Sequence, residues 1–294
     1  MPQSLQSRKP VAPIVRIFHP SDFSKASHVA FAHALKLALE AKADLSIMHV
    51  QRHVKRRETE ERHWTDFPGV RSTLARWGIL PEGARREEVG KTGLRVKKIL
   101  ASSADPVKSI TRHLEHYPPD LIVLATHQRE GLARWMHKPV AEKIARRSGA
   151  MTLFVPRDGK GFIAPEDGAV TLKKILIPVD RTPDPQSALD KASSLTRGLG
   201  CTDAEFVLLH VGGEEELPVL DTAYYPGWSW ERVVRQGDVV ETILRIEGDW
   251  NPDLMVLVTE GHSDFLDALR GSTTERVLRG ARCPVLAIPA EKSW

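Results

Sequence analysis

Cysteine is nearly missing from this chain, with two in 294 residues, Cys201 and Cys283. Both lie in the second half without CxxC or metal-like spacing. This speaks against a disulfide scaffold and a thiolate zinc site, and leaves two reduced packing thiols as the expectation. Long apolar runs are missing too. The longest, such as 121–125 and 254–258, have the length of a strand and fall far short of the roughly 20 residues of a membrane span. Met1 to Pro13 is polar, with two basic residues and three prolines, and resembles no signal peptide. A cytoplasmic, membrane-free protein is therefore expected. No nucleophile elbow, Walker loop, dinucleotide fingerprint or HExxH motif is present, which disfavours an ordinary hydrolase or kinase.

What is present is a soluble composition, 41% hydrophobic and 27% charged, long enough for two domains of ordinary size. The net charge of +4 conceals an asymmetry. Residues 1–160 hold 29 Lys and Arg against 16 Asp and Glu, and residues 161–294 hold 13 against 22, giving +13 and −9. A basic half can mean an acidic partner, or simply attraction between the halves and solvated charge. Nucleic acid is not expected, because no helix-turn-helix, zinc finger or stacking-aromatic module accompanies the charge.

An internal repeat organises the chain. Asp120-Leu121-Ile122-Val123-Leu124 recurs as Asp253-Leu254-Met255-Val256-Leu257, 133 residues on, and Asp105, Val107 and Ile110 recur as Asp238, Val240 and Ile243 at the same offset. Earlier landmarks have larger offsets, 161 from His49-Val50 to His210-Val211 and 158 from Asp22 to Asp180, so the second copy lacks about 28 residues between its second and third strands. Short apolar runs alternate with helical spacing, which predicts a parallel sheet covered by helices on both faces. The predicted strands are 15–18, 45–50, 96–100, 121–125 and 151–155 in the first copy, and 174–178, 205–211, 231–235, 254–258 and 284–288 in the second. The first copy's helices are expected near 24–41, 67–79, 106–116 and 139–147. The domains then span 13–157 and 172–291, with a Gly-, Pro- and charge-rich linker over 158–171. In place of the missing helix the second copy has Gly212-Gly213-Glu214-Glu215-Glu216 and a loop with Tyr224, Tyr225 and Trp228. That loop either leaves the neighbouring pocket exposed or plugs it.

Arg16-Ile17-Phe18-His19-Pro20-Ser21-Asp22 and Lys174-Ile175-Leu176-Ile177-Pro178-Val179-Asp180 resemble the first strand of the universal stress protein domain, which ends in an aspartate. His49-Val50 and His210-Val211 resemble its second-strand ending, and the Asp-Leu-Ile/Met-Val-Leu runs its fourth strand. Nearly the whole chain is covered, twice. The resemblance implies two tandem five-stranded doubly wound domains of Rossmann-like, adenine-nucleotide-binding type, paired through their last strands as an internal pseudo-dimer. A further homodimer is left open.

The resemblance also implies where a nucleotide would sit. Members that bind ATP carry Gly-x2-Gly-x9-Gly-Ser/Thr after the fourth strand, where glycines let backbone amides approach phosphate at a helix N-terminus. In the second copy the aligned positions are Val258, Gly261, Gly271 and Ser272, followed by Thr273. With Asp180 and Val211 these are the candidate nucleotide-binding residues. Ser272-Thr273-Thr274-Glu275 is also a capping box that needs no ligand, and Glu260, Asp264 and Asp267 in the same loop oppose a triphosphate unless Mg²⁺ or distance intervenes. In the first copy the positions read Ala125, Gln128, Lys138 and Pro139, and with Asp22 they form a degenerate equivalent.

Ten of the twelve histidines lie in the first copy. His49 with His53 and His113 with His116 have spacings that can bind metal, but no third ligand completes either set. His19, Asp22 and His127 are expected near the carboxyl ends of strands one and four and form a looser metal candidate. The resemblance implies a stress-response or regulatory protein whose second copy senses ATP, with Mg²⁺, while the basic first copy is a structural partner. Two alternatives stay open. One is a nucleotide-free scaffold that binds an acidic protein or small ligand through the first copy; the other is a slow ATPase with Ser272 or Thr273 near phosphate and no evident general base.

Overall fold

The computed structural model of the chain describes residues 12–51, 67–126, 149–156, 161–259 and 273–290. Ten strands form one sheet: β1 Arg16–Pro20, β2 Asp44–Gln51, β3 Arg95–Ser102, β4 Leu121–Thr126, β5 Met151–Pro156, β6 Lys174–Pro178, β7 Ala204–Val211, β8 Trp228–Arg235, β9 Leu254–Thr259 and β10 Val285–Pro289. The described helices are α1 Lys25–Ala41, α2 Val70–Arg76, α3 Arg86–Lys91, α4 Pro106–His116, α5 Gln186–Gly198, α6 Val239–Trp250 and α7 Thr273–Gly280.

The strand order is β3-β2-β1-β4-β5-β10-β9-β6-β7-β8. Each half is therefore a parallel 3-2-1-4-5 arrangement, and the halves meet where β5 and β10 pair antiparallel, Leu153 opposite Leu286. The tandem chain thus builds the pseudo-dimer that the resemblance implied. Successive residues of a strand face opposite sides of a sheet, and here both sides are apolar. Ile17, Leu121 and Val123 pack on the side covered by α1, α2, α3 and α5. Phe18, Ile122 and Leu124 pack on the side covered by α4, α6 and α7.

The repeated aspartates are the fastenings of this frame. Asp120 Oδ2 accepts from the N–H groups of Val15 (2.9 Å) and Arg16 (2.8 Å), and Asp253 Oδ2 accepts from Lys173 (2.8 Å) and Lys174 (2.9 Å). Each carboxylate so holds the start of its half's first strand against the fourth. Asp105 and Asp238 are N-caps, accepting from Lys108 N (3.1 Å) and Glu241 N (3.0 Å) at the starts of α4 and α6.

Two sequence expectations change. The helix expected over 67–79 is confined to Val70–Arg76, because Pro68-Gly69 delays its start and Gly78 turns the chain at φ +70 just beyond its end. The short α3 was not anticipated; six residues containing Gly90 carry little periodic signal. The helix expected over 139–147 lies outside the described residues. The described part of the segment joining the halves, residues 161–171, is packed against the rest of the protein. Ile163 bridges Val170, Phe162 and Ile163 are fully buried, and Ile163 N–H donates to His33 Nε2 (3.2 Å) on α1. Trp77 and Arg76 also donate to the Pro165 carbonyl (3.1 and 3.2 Å).

Candidate functional site

In open α/β sheets ligands bind at the carboxyl ends of the strands, beside the point where strand order reverses. Here those points lie between β1 and β4 and between β6 and β9. Both second strands end in the same construction. His49 Nδ1 donates to the Ser21 carbonyl (2.7 Å) and His210 Nδ1 to the Val179 carbonyl (3.1 Å). The amides of Ser21 and Val179 in turn donate to Met48 and Leu209, both at 2.9 Å. The two histidines therefore pin the residue preceding each candidate aspartate, a role that the paired His-Val landmarks hinted at without specifying.

Beyond that shared pin the two edges differ. In the first half Asp22 is exposed and its Oδ1 accepts from Ser24 N (3.0 Å), shaping the turn into α1. Phe23 has φ +60, a left-handed conformation costly for a side chain of this size. Its ring stacks on His49 with centroids 4.0 Å apart and meets the buried Phe67 edge-on at 5.1 Å. Lys98 lies 5.7 Å over Phe67, its pKa lowered by burial and then by Arg71. Aromatic rings thus fill the space between the ends of β1 and β2.

His19 does not act as a ligand-facing group. It is fully buried, Nδ1 donates to the Val123 carbonyl (3.0 Å), and Nε2 faces Ser27 Oγ (3.4 Å), which contacts Ser21 Oγ (2.9 Å). Burial lowers its pKa to about 4, against the opposing pull of the Val123 bond and Asp22, so at neutral pH it is an uncharged packing residue. Of the metal set of His19, Asp22 and His127, His19 has both ring nitrogens turned to buried partners, Val123 and Ser27, and His127 lies outside the described residues. Among the described residues no group of three or more His, Cys, Asp or Glu is placed to hold a metal ion. His113 packs between Phe18 and Tyr117 at centroid distances of 5.7 and 5.0 Å. His53 also lies outside the described residues.

In the second half Asp180 is exposed and accepts from Arg181 N (2.7 Å). Arg181 stands where the first half has Phe23. Its guanidinium is held just beyond the carboxyl end of β7, Nε donating to the Glu216 carbonyl (3.0 Å) and Nη2 to that of Glu215. This clamps the single 3-10 turn, Glu214–Glu216, that replaces the missing helix. Val211 is half-buried. His210 is only 2% exposed, and its Nε2 has no hydrogen-bond partner among the described residues. A Cβ on Gly212 would sit 2.7 Å from that nitrogen and 2.8 Å from Glu216 Oε2, so only glycine fits there unless its neighbours shift.

The aromatic loop does not plug this edge. Trp228 opens β8 beside Ala204, the first residue of β7, and its Nε1 donates to the Cys201 carbonyl (2.9 Å). Tyr225 packs on Trp228 at 4.6 Å, and the Arg197 guanidinium lies 5.5 Å from the Tyr225 ring. These rings gather at the amino end of the strands, opposite Asp180. Thr273 is exposed as the first residue of α7. Gly261, Gly271 and Ser272, like Gln128, Lys138 and Pro139 of the first half, lie outside the described residues. Both thiols are free, as expected; burial and then Glu247 push the Cys283 thiol well above its ordinary range.

Residues 14–156 and 214–289 match the sequence model of the universal stress protein family. Among solved structures, a universal stress protein from Archaeoglobus fulgidus is 18% identical, with 94% of this chain and 98% of that one covered at a TM-score of 0.57. A functionally unknown protein from Pseudomonas aeruginosa is 14% identical, covering 94% and 93% at a TM-score of 0.60. At these identities they show the shared fold. No curated protein matches the sequence with significance. Among the described residues no helix is long and apolar enough to cross a membrane. With the family model matching more than half of the chain, and a ten-stranded sheet made of two like halves, this protein belongs to the universal stress protein family.

Proposed function

We propose that the chain is a non-enzymatic stress-response or regulatory protein with one adenine-nucleotide site, in its second half, and a first half that serves as its structural partner. The observation that carries this reading is the contrast at the carboxyl edges. Phe23 occupies the first half's edge, whereas the second half keeps an exposed Asp180, a buried acceptor at His210 Nε2 and the side-chain-free Gly212. The exposed carboxylate of Asp180 is an acceptor suited to a ligand rich in O–H and N–H donors, such as a nucleoside. The retained Gly261, Gly271 and Ser272 supply the phosphate end of the reading. ATP with Mg²⁺ is its finer form: the metal would neutralise phosphate charge opposite Glu260, Asp264 and Asp267.

Calorimetry of the full chain with ATP, with and without Mg²⁺, tests the proposal. The expected result is one site per chain, weakened at least about tenfold by Asp180→Ala and by Gly261→Val with Ser272→Ala. A second reading, a nucleotide-free scaffold, is favoured by one observation. The turn tied to Arg181 carries three glutamates, Glu214, Glu215 and Glu216, which with the exposed Asp180 outnumber that one cation. No heat from a folded protein would select that reading, and steady phosphate release would instead select a slow ATPase.

A further inference from the structure

We propose a second, separate binding site: the apolar cavity at the seam between the halves takes a small amphipathic anion, a medium-chain carboxylate with its tail inside and its head at Lys191. The cavity measures about 220 Å³ and lies between α1 of the first half and α5 of the second. Its floor is Leu121, Met151, Leu153 and Leu286, at the β4, β5 and β10 strands that join the halves. Leu37 walls one side, and Leu195 and Leu199 the other. Leu121 and Met151 are the first residues of their strands. The cavity takes in the amino ends of β4 and β5, none of Asp180, His210 and Val211 lines it, and it does not depend on the nucleotide reading.

The space exists because residues on the facing helices are small. Ala41 ends α1, and Gly198 ends α5 with no atom within 4 Å of where its Cβ would be. An apolar cavity of about 150 Å³ stays dry and accepts benzene, so this one has room for a chain of roughly eight to ten carbons. The rim supplies the head-group preference. Glu40 lies there, but it is held by Lys36 at 2.7 Å. Among the described residues Lys191 has no carboxylate partner, and its ammonium makes one long bond, 3.4 Å, to the carbonyl of Ala12, which also lines the cavity. A cation satisfied only by a distant neutral acceptor, beside a greasy hole, matches a carboxylate carried on an alkyl tail.

The full chain titrated with decanoate should bind one molecule saturably and melt at higher temperature, with butanoate at least about tenfold weaker, as the buried methylenes require. Lys191→Glu should weaken decanoate about tenfold while leaving 1-decanol unchanged. Gly198→Leu, which adds a side chain where there is open space, should abolish both. Ser194→Trp, at the exposed rim, repeats that test in case Gly198→Leu fails to fold. No saturable binding by the unaltered chain would overturn the proposal. So would uptake of several decanoate molecules that neither Lys191→Glu nor the folded filling variants change, because that is surface adsorption.

Discussion

The two carboxyl edges of the sheet start from one construction and end differently. In both, a histidine at the end of the second strand pins the backbone before an aspartate, with Nδ1 donating at 2.7 Å in the first half and 3.1 Å in the second. The next residue then decides the outcome. Phe23 turns inward in a left-handed conformation and stacks on that histidine. Arg181 instead ties down the short turn at Glu214–Glu216, just beyond the end of β7. A duplicated fold keeps the contacts that hold the sheet together and varies those that only line its edge.

The largest expected difference between the halves is in acid. Burial lowers both His19 and His33 from 6.5 to about 4, and both belong to the first half. For a histidine whose folded pKa is depressed, the unfolded chain binds the proton more readily. The stabilisation is thus complete above pH 6.5 and is lost as pH falls towards 4. Each contributes up to about 3 kcal/mol. Denaturant melts between pH 7 and 4 should show the first half failing first. His19→Ile, which installs the residue found at the matching position Ile177, should reduce that acid sensitivity. For His33 the structural cost is specific: protonating Nε2 removes the acceptor of the Ile163 amide and frees the segment between the halves.

Where the halves are alike, they should respond alike. Asp120→Ala and Asp253→Ala each remove two charge-assisted bonds to the start of a first strand. Each should cost about 3 kcal/mol of stability in chemical denaturation. A large loss from one and none from the other would break the symmetry claimed for the frame.

Much of this frame was legible in the sequence. All ten strands fall within three residues of the apolar runs, because the inner strands, buried on both faces, write themselves as continuous Val, Ile and Leu; the half-exposed edge strand β8 begins three residues before its run. The fixed offsets picked out Asp105, Asp120, Asp238 and Asp253 before their bonds were seen. The edges were less legible, since their chemistry depends on backbone angle and long-range contact. Nothing local announces that Phe23 adopts φ +60, that His210 Nε2 has no partner among the described residues, or that Phe162 and Ile163 are buried against a helix 130 residues earlier.

Smaller effects sharpen the contrast at the edges. Gly212→Ala places a methyl group 2.7 Å from His210 Nε2. It should weaken nucleotide binding several-fold while costing about 1 kcal/mol of stability. Phe23→Gly exchanges lost packing for relieved strain and should change stability by less than about 1 kcal/mol. With no glycine at the aligned positions Gln128 and Lys138, it should leave the nucleotide stoichiometry at one. A second site in that variant would show that the ring alone had closed the first half.

The most direct test of the central claim is the number and location of nucleotide sites on the full chain, read by calorimetry with ATP and Mg²⁺ on the unaltered protein, Asp180→Ala and Asp22→Ala. The account predicts one site, lost in Asp180→Ala and unchanged in Asp22→Ala. Two sites, or one site lost only in Asp22→Ala, would contradict it.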